Sequence, residues 1–404
     1  DLQTAPETDH ERILPLRGVH TLARGRMNET EYFPTLPDLV RAGTEYRWTM
    51  AIEPSTIRGQ LFHNVDEILD VSATEALSDF SRRDPARVDF RVGENLFWSR
   101  NVKTCTRMAF GPWRSFSYEP GNVYRMKNDV GKWVQVVSLI KWVGWIFPRP
   151  EFGGVQVIEQ GGTNRILDWT LRNLWGCGRF IPADKIKNHQ FLVGQNLMPY
   201  DVTRYMAGSL RFQAGFFGPL RYSRIGDLRI ADMPDDVNEQ PFTLFFRMPH
   251  GEGKLYQYFG LEPRDRDKQG LAMSFYYPAD GIGKKYVLRH YDRRIPIGVT
   301  AVADQVRASR KHYDWSHNAA VEVRPYTHRI ADSNGKIEPR FMWMVTVVTI
   351  NERKPGVPLE FTSGGNPEIA LVDAYWNKVV WVDSERPSKW PEQLREQLAE
   401  AWAK

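Results

Sequence analysis

The stretch KWVQVVSLIKWVGWIFPRPEFGG, residues 132–154, is the most apolar passage in the chain and the one that most limits its fold. A membrane-spanning helix needs about 20 largely apolar residues with no central charge. Only residues 133–147 qualify here, Lys141 sits among them, and Pro148 and Pro150 stop the run. No transmembrane helix is therefore expected within the chain. A buried helix is opposed by six β-branched residues, Val134, Val136, Val137, Ile140, Val143 and Ile146, and by Gly144. Branching at Cβ restricts χ1 and suits a pleated surface. The passage predicts a long strand, bent or bulged near Gly144, that turns at PRPEFGG into a partner strand over 155–160.

The rest of the chain fits around that strand. Residues 1–45 read as an extended N-terminal arm, polar and broken by proline. YRWTMAIEP (46–54) alternates as a strand, whereas VDEILDVSATEALSDFSR (65–82) places Ile68, Leu69, Ala73, Ala76 and Leu77 at helical spacing. Short β-like runs follow between 87 and 126, among them NLFWSRNV and RSFSYEP. A helical middle segment is predicted from TNRILDWTLRNLWG (163–176), PADKIKNHQFLVGQNLMP (182–199) and YDVTRYMAGSLRFQ (200–213). The polar loop 229–241 is the expected domain boundary. Beyond Pro241 strand-like runs are separated by turn clusters, with Asn334-Gly335 a tight-turn signal and EIALVDAYWNKVVWVD (368–383) a hairpin. Leu394, Leu398 and Trp402 stripe one side of a C-terminal helix. The expected class is α+β, mostly β, with antiparallel sandwich- or barrel-like sheets. The expected domains are the arm 1–45, a mixed α+β unit 46–235, and an antiparallel β unit 236–404 ending in the helix.

Charge excludes little. The net +5 rests on 54 basic against 49 acidic residues, and the local runs SRRD, RHYDRR and RASRKH are short. Nucleic-acid binders concentrate charge on one face or motif, so no specific nucleic-acid partner is expected. Cys105 and Cys177 form no CxxC pair, which excludes a cysteine-rich zinc site; one long-range disulfide and two buried thiols both remain open. A start at Asp1 rather than Met is read as processing, truncation or residues beyond the chain. With the scarcity of cysteine, it favours an extracytoplasmic or membrane-peripheral location.

Catalytic signatures are weak. KHYDWSHN (311–318) gathers His312, Asp314, Ser316 and His317, where a histidine beside an aspartate could serve as a general base. A spacing of five between the histidines suits neither a helical zinc pair nor strand alternation. Carboxylates near aromatics (Glu262, Asp280, Asp292, Asp314 and Asp383) raise glycoside chemistry, which needs two such groups at a set separation across a cleft. The glycine-rich stretches lack the phosphate-cradle patterns, and neither GxSxG nor HExxH occurs. No cofactor and no metal are expected.

With 14 Trp, 16 Tyr and 21 Phe, aromatics make up 13% of the chain. Such residues concentrate at interfaces and stacking sites. The expectation is a non-catalytic structural or interaction subunit of a larger assembly, self or hetero, with Trp142, Trp145, Trp376 and Trp381 as interface candidates. A carbohydrate-binding or carbohydrate-active protein, which would make a glycan the partner, and a virion or shell protein are the competing readings.

Overall fold

The computed structural model describes residues 2, 4–8, 15–25, 27, 31–43, 45–74, 85–161, 177–212, 227–232, 240–248, 253–264, 270–283, 285–291, 294–331, 335–351 and 367–402. The predicted helix 163–176, Asn334 of the expected tight turn and Asp292 lie outside them.

In chain order the elements begin with β1 (Glu7–Thr8), α1 (Leu16–Gly25), β2 (Tyr32–Pro34), β3 (Asp38–Ala42), β4 (Glu45–Pro54), α2 (Ile57–Phe62), β5 (Val65–Ser72) and β6 (Ala86–Phe90). Then come α3 (Val102–Ala109), α4 (Gly111–Arg114), β7 (Tyr118–Lys127), β8 (Trp133–Val143), β9 (Arg149–Glu159), β10 (Arg179–Pro182) and α5 (Tyr200–Ser209). The remainder is β11 (Leu228–Ile230), β12 (Phe242–Arg247), β13 (Gly253–Pro263), β14 (Met273–Pro278), β15 (Val287–His290), α6 (Val299–Ser309), β16 (Asn318–Ala331), β17 (Ile337–Thr349), β18 (Glu368–Asp373), β19 (Val379–Val382) and α7 (Trp390–Trp402). The result is mostly β, with antiparallel sheets and a C-terminal helix, as the sequence predicts.

Four sheets form. The first is β2-β4-β5-β6 with β3 on β4, and the second is β10-β9-β8-β7. The third is β1-β12-β13-β14-β15 with β11 on β13, and the fourth is β16-β17-β18-β19. Strands from the start, middle and later part of the chain thus share the third sheet. In the fourth sheet, Trp343, Val345 and Val347 of β17 face a core with Phe246, Tyr258 and α6. The intervening Met342 and Met344 face Trp390, Leu394, Leu398 and Trp402 of α7. Strict alternation with both faces apolar is what lets one strand be buried on two sides.

β8 has the same two-sided character. Val134 and Val136 pack with Tyr124, Val155 and Ile181 on one face, and Val137 packs with Val102, Cys105 and Val123 on the other. Cys105 and Cys177 are joined by a disulfide, linking α3 to the approach to β10.

Three local expectations are corrected. Residues 65–72 are a strand, not a helix: Leu69, Val71 and Ala73 alternate into one core with Ile68 facing another, which Val65 joins across the register shift between Val65 and Glu67, and the strand is fixed by pairing with both β4 and β6. The 182–199 segment forms two 3-10 turns, Ala183–Asn188 and Gln190–Leu192. Its Asn188, Gly194 and Asn196 favour turns over a continued helix. The run from Asn95 to Val102 is not a strand but a 3-10 turn, Trp98–Arg100, leading into α3. There Asn101 caps the helix, accepting from the backbone N–H groups of Lys103 and Thr104 at 3.1 and 3.2 Å.

A buried charge cluster locks the first two sheets together. Arg125 of β7 has no exposed side-chain surface; it donates to Asp38 Oδ2 at 3.2 Å and Glu94 Oε1 at 2.5 Å, with Glu53 Oε1 at 3.9 Å. Glu53, also sealed, accepts from the backbone N–H groups of Glu94 (2.8 Å) and Asn95 (2.7 Å). Removing this cation would leave three carboxylates without their shared buried partner, and a broken buried pair costs about 3–5 kcal/mol. Arg125→Leu is expected to lose stability of that order in urea unfolding; a loss near zero would refute the role assigned to Arg125.

The same cluster sets a pH dependence. Burial raises Asp38 well above its ordinary 3.8, Arg125 pulling it down less strongly, and burial likewise raises Glu53 above 4.5. A carboxyl raised in the folded state contributes stability that is complete below its unfolded pKa and lost as pH rises through its folded one. Urea midpoints of the wild type should therefore fall as pH climbs from the ordinary carboxylate range. Asp38→Asn, which cannot titrate, should give a shallower fall, and identical slopes would contradict this.

Candidate interaction surface

The long strand that ends the second sheet's core runs out into solvent. β8 and β9 pair through Trp142↔Pro150 and Val143↔Arg149, so residues 144–148 form the connecting loop. β7 reaches only to Tyr118↔Lys141, with one further bond from Trp142 N–H to the Ser117 carbonyl at 2.9 Å. The end of the hairpin therefore projects past its neighbour. Gly144 turns the chain with φ +103°, and a Cβ there would meet the Phe147 carbonyl oxygen at 2.7 Å, so only glycine permits this closure. The expected irregularity lies elsewhere too: the register shifts opposite Leu139 and Ile140, at Gly153 of β9.

Three consecutive large apolar residues crown the tip. Trp145, Ile146 and Phe147 are 99%, 76% and 86% exposed. Left in water, each forgoes about 1.5–3 kcal/mol of transfer free energy. Single exposed apolar side chains are ordinary, but a contiguous set marks a contact surface. Phe116, also exposed, precedes the Ser117 that bonds Trp142. Trp142 itself is exposed and donates Nε1–H to Glu119 Oε2 at 3.1 Å. Around the tip stand Lys141, Arg149 and Arg114, all exposed. Arg149 pairs with Glu151 at 3.0 Å and Arg107 with Glu119 at 3.5 Å. Among the described residues, Lys141 and Arg114 face no carboxylate within ion-pair distance.

The four candidate tryptophans fall into two places. Trp142 and Trp145 belong to this hairpin, while Trp376 and Trp381 belong to the β18–β19 hairpin of another sheet. Arg294 lies over both Tyr375 and Trp376, 4.8 and 4.7 Å from the ring centroids. Trp381 is covered by the Arg310 guanidinium at 3.6 Å and donates to Ser309 Oγ at 3.1 Å, tying the end of α6 to β19. A second exposed apolar group, Ile57, Phe62, Phe97 and Trp98, surrounds α2 and the 3-10 turn after it. The sequence reading missed this group because NLFWSRNV resembles a strand.

Asp314, Ser316 and His317 do come together, in the turn between α6 and β16. Asp314 Oδ2 lies 2.9 Å from His317 Nδ1, and the Ser316 hydroxyl donates to Asp314 Oδ1 at 2.5 Å while sitting 3.0 Å from the same Nδ1. In a serine–histidine–aspartate relay the carboxylate and the hydroxyl use opposite ring nitrogens. Here both crowd Nδ1, and the serine gives its proton to the carboxylate, so the hydroxyl is not poised as a nucleophile. His312 is exposed nearby and takes no part in these bonds. Glu262 accepts from the Val299 N–H at the start of α6 (2.9 Å), Asp280 from Ile282 (2.9 Å) and Asp383 from Glu385 (2.9 Å). Each of these carboxylates is engaged locally. Among the described residues no group of three or more His, Cys, Asp or Glu is placed to hold a metal ion.

A cleft of about 700 Å³ opens beside β3 and β4. Arg47 in its wall is paired with Asp70 and Glu45, and its tryptophan, Trp133, lies in the wall at 8% exposure beneath the Lys127 ammonium. A sugar would find no open ring face on Trp133.

Hydrogen bonds from Ser316, then from His317, hold the Asp314 carboxyl down to about 2. Ser316→Ala should move the Asp314 titration upward toward 3.8, followed by carbon-detected NMR; an unchanged value would disprove the bond's role.

No protein family and no curated protein matches the chain. Two solved structures do: an uncharacterized protein from Eubacterium rectale, 9% identical over 65% of this chain and 76% of that one, with a TM-score of 0.17; and the Bacillus megaterium YpeB C-terminal domain, 10% identical over 67% and 94%, with a TM-score of 0.13.

Proposed function

We propose that the chain is a non-catalytic interaction protein that docks onto a larger partner through the β8–β9 tip. The observation that carries this is the contiguous exposure of Trp145, Ile146 and Phe147 at the end of a projecting, paired hairpin. A folded chain that buries Trp48, Trp343 and Trp390 almost completely has the means to sequester aromatics, so their display at one tip is a feature of use. The Asp314–Ser316–His317 geometry and the locally engaged carboxylates support a role without catalysis. The Cys105–Cys177 disulfide supports residence in an oxidising, extracytoplasmic compartment.

The triple variant Trp145→Ser, Ile146→Ser, Phe147→Ser tests the reading, because exposed side chains can be changed without cost to the core. In lysates fractionated by sedimentation, the wild type should travel with particles larger than one chain. The variant should sediment as the free chain and melt at the same temperature. Free-chain sedimentation of both proteins would refute docking through the tip.

A further inference from the structure

We infer that the partner of the tip is an anionic lipid bilayer; this rests on the docking role just assigned to the hairpin. Trp145, Ile146 and Phe147 form a narrow apolar point with no polar side chain among them, bounded by Gly144 and Pro148. A protein partner that bound this point would have to meet the side chains next to it, and those include the cations Lys141, Arg149 and Arg114. A stable protein–protein interface spreads over a broad matched surface, of which a narrow point supplies little. A bilayer asks for no shape complementarity and takes apolar side chains directly.

The order of residues along the hairpin matches the order of layers in a membrane surface. Trp145, Ile146 and Phe147 lead, in position to enter the acyl region. On the second rung behind, Trp142 keeps its Nε1–H bonded to Glu119 at 3.1 Å, an amphipathic ring at the level where tryptophan gathers in membranes. Lys141 and Arg149 flank the same level, and Arg114 stands near through Phe116 and the Ser117–Trp142 bond. The two nearby carboxylates are already matched, Glu151 by Arg149 and Glu119 by Arg107. The residual charge at the collar is positive, which suits phosphate-bearing headgroups.

Backbone chemistry limits the depth. Unpaired peptide groups are costly in hydrocarbon, so only the side chains of a short turn can enter. Up to Val143↔Arg149 the ladder satisfies its own groups. The contact is therefore a shallow, reversible anchor, not a span.

Vesicle flotation with the purified full chain decides the matter, using phosphatidylcholine alone and phosphatidylcholine mixed with phosphatidylglycerol. The wild type should float with the mixed vesicles, with a blue shift in tryptophan emission that Trp145→Ser removes, and bind neutral vesicles more weakly. Trp145→Ser with Phe147→Ser should lower binding to both vesicle types by about tenfold or more. Lys141→Gln with Arg149→Gln should lower it only on anionic vesicles, and added salt should mimic that change. A wild type that floats with neither set, or a tip variant that floats as well as the wild type, overturns the bilayer inference. If purified protein ignores vesicles while lysate sedimentation still depends on the tip, the partner is a protein and docking stands. If neither assay depends on the tip, both readings fall.

Discussion

A guanidinium sealed from solvent has to be neutralised where it sits, and Arg125 meets that demand with groups drawn from distant parts of the chain. Asp38 comes from β3, Glu53 from β4 and Glu94 from the turn after β6. The cluster clamps the first sheet against β7, and the Thr49 hydroxyl adds a bond to the Arg125 carbonyl at 2.9 Å. Because β7 is the neighbour on which β8 is laid, the direction in which the β8–β9 hairpin leaves the body follows from where this charge is held. Hydrophobic burial supplies most of the cohesion, but it is non-directional. The charged cluster adds a fixed register between two sheets.

β8 shows how core and surface are divided along one strand. Trp133 through Ile140 are buried, and from Lys141 onward the side chains are exposed or partly so. The change coincides with the end of β7's pairing at Tyr118↔Lys141. The buried half is held on two faces by separate cores, leaving the distal half free to carry residues that contribute nothing to folding.

Much of this architecture was legible in residue order. Alternation and turn residues identify β12 to β19, and the Leu394, Leu398 and Trp402 stripe identifies α7, because local pattern and tertiary packing agree there. β5 was not legible: Ile68 and Leu69 satisfy a helical period as well as a strand's, and only pairing with β4 and β6 settles it. Asn101 before VKTCTRMA was a readable capping signal that the β-like residues ahead of it obscured. The Arg125 partners lie 87, 72 and 31 positions away, beyond any local rule. For the tip, an apolar run reads as core. What marked it as surface was the bracketing by Gly144 and Pro148, which places Trp145, Ile146 and Phe147 in a turn rather than a strand. The Asp314–Ser316–His317 group was legible as a cluster but not in its hydrogen bonding, since sequence does not say which ring nitrogen each partner meets.

The tip is carried on a ladder that stays paired up to its last rung, Val143↔Arg149, and Gly144 is already in the conformation that closes the loop. Few backbone torsions remain to be fixed on contact, so an encounter involves no folding step and little loss of chain entropy. Association at such an element is governed by collision and orientation. What the apolar side chains then determine is how long the complex lasts.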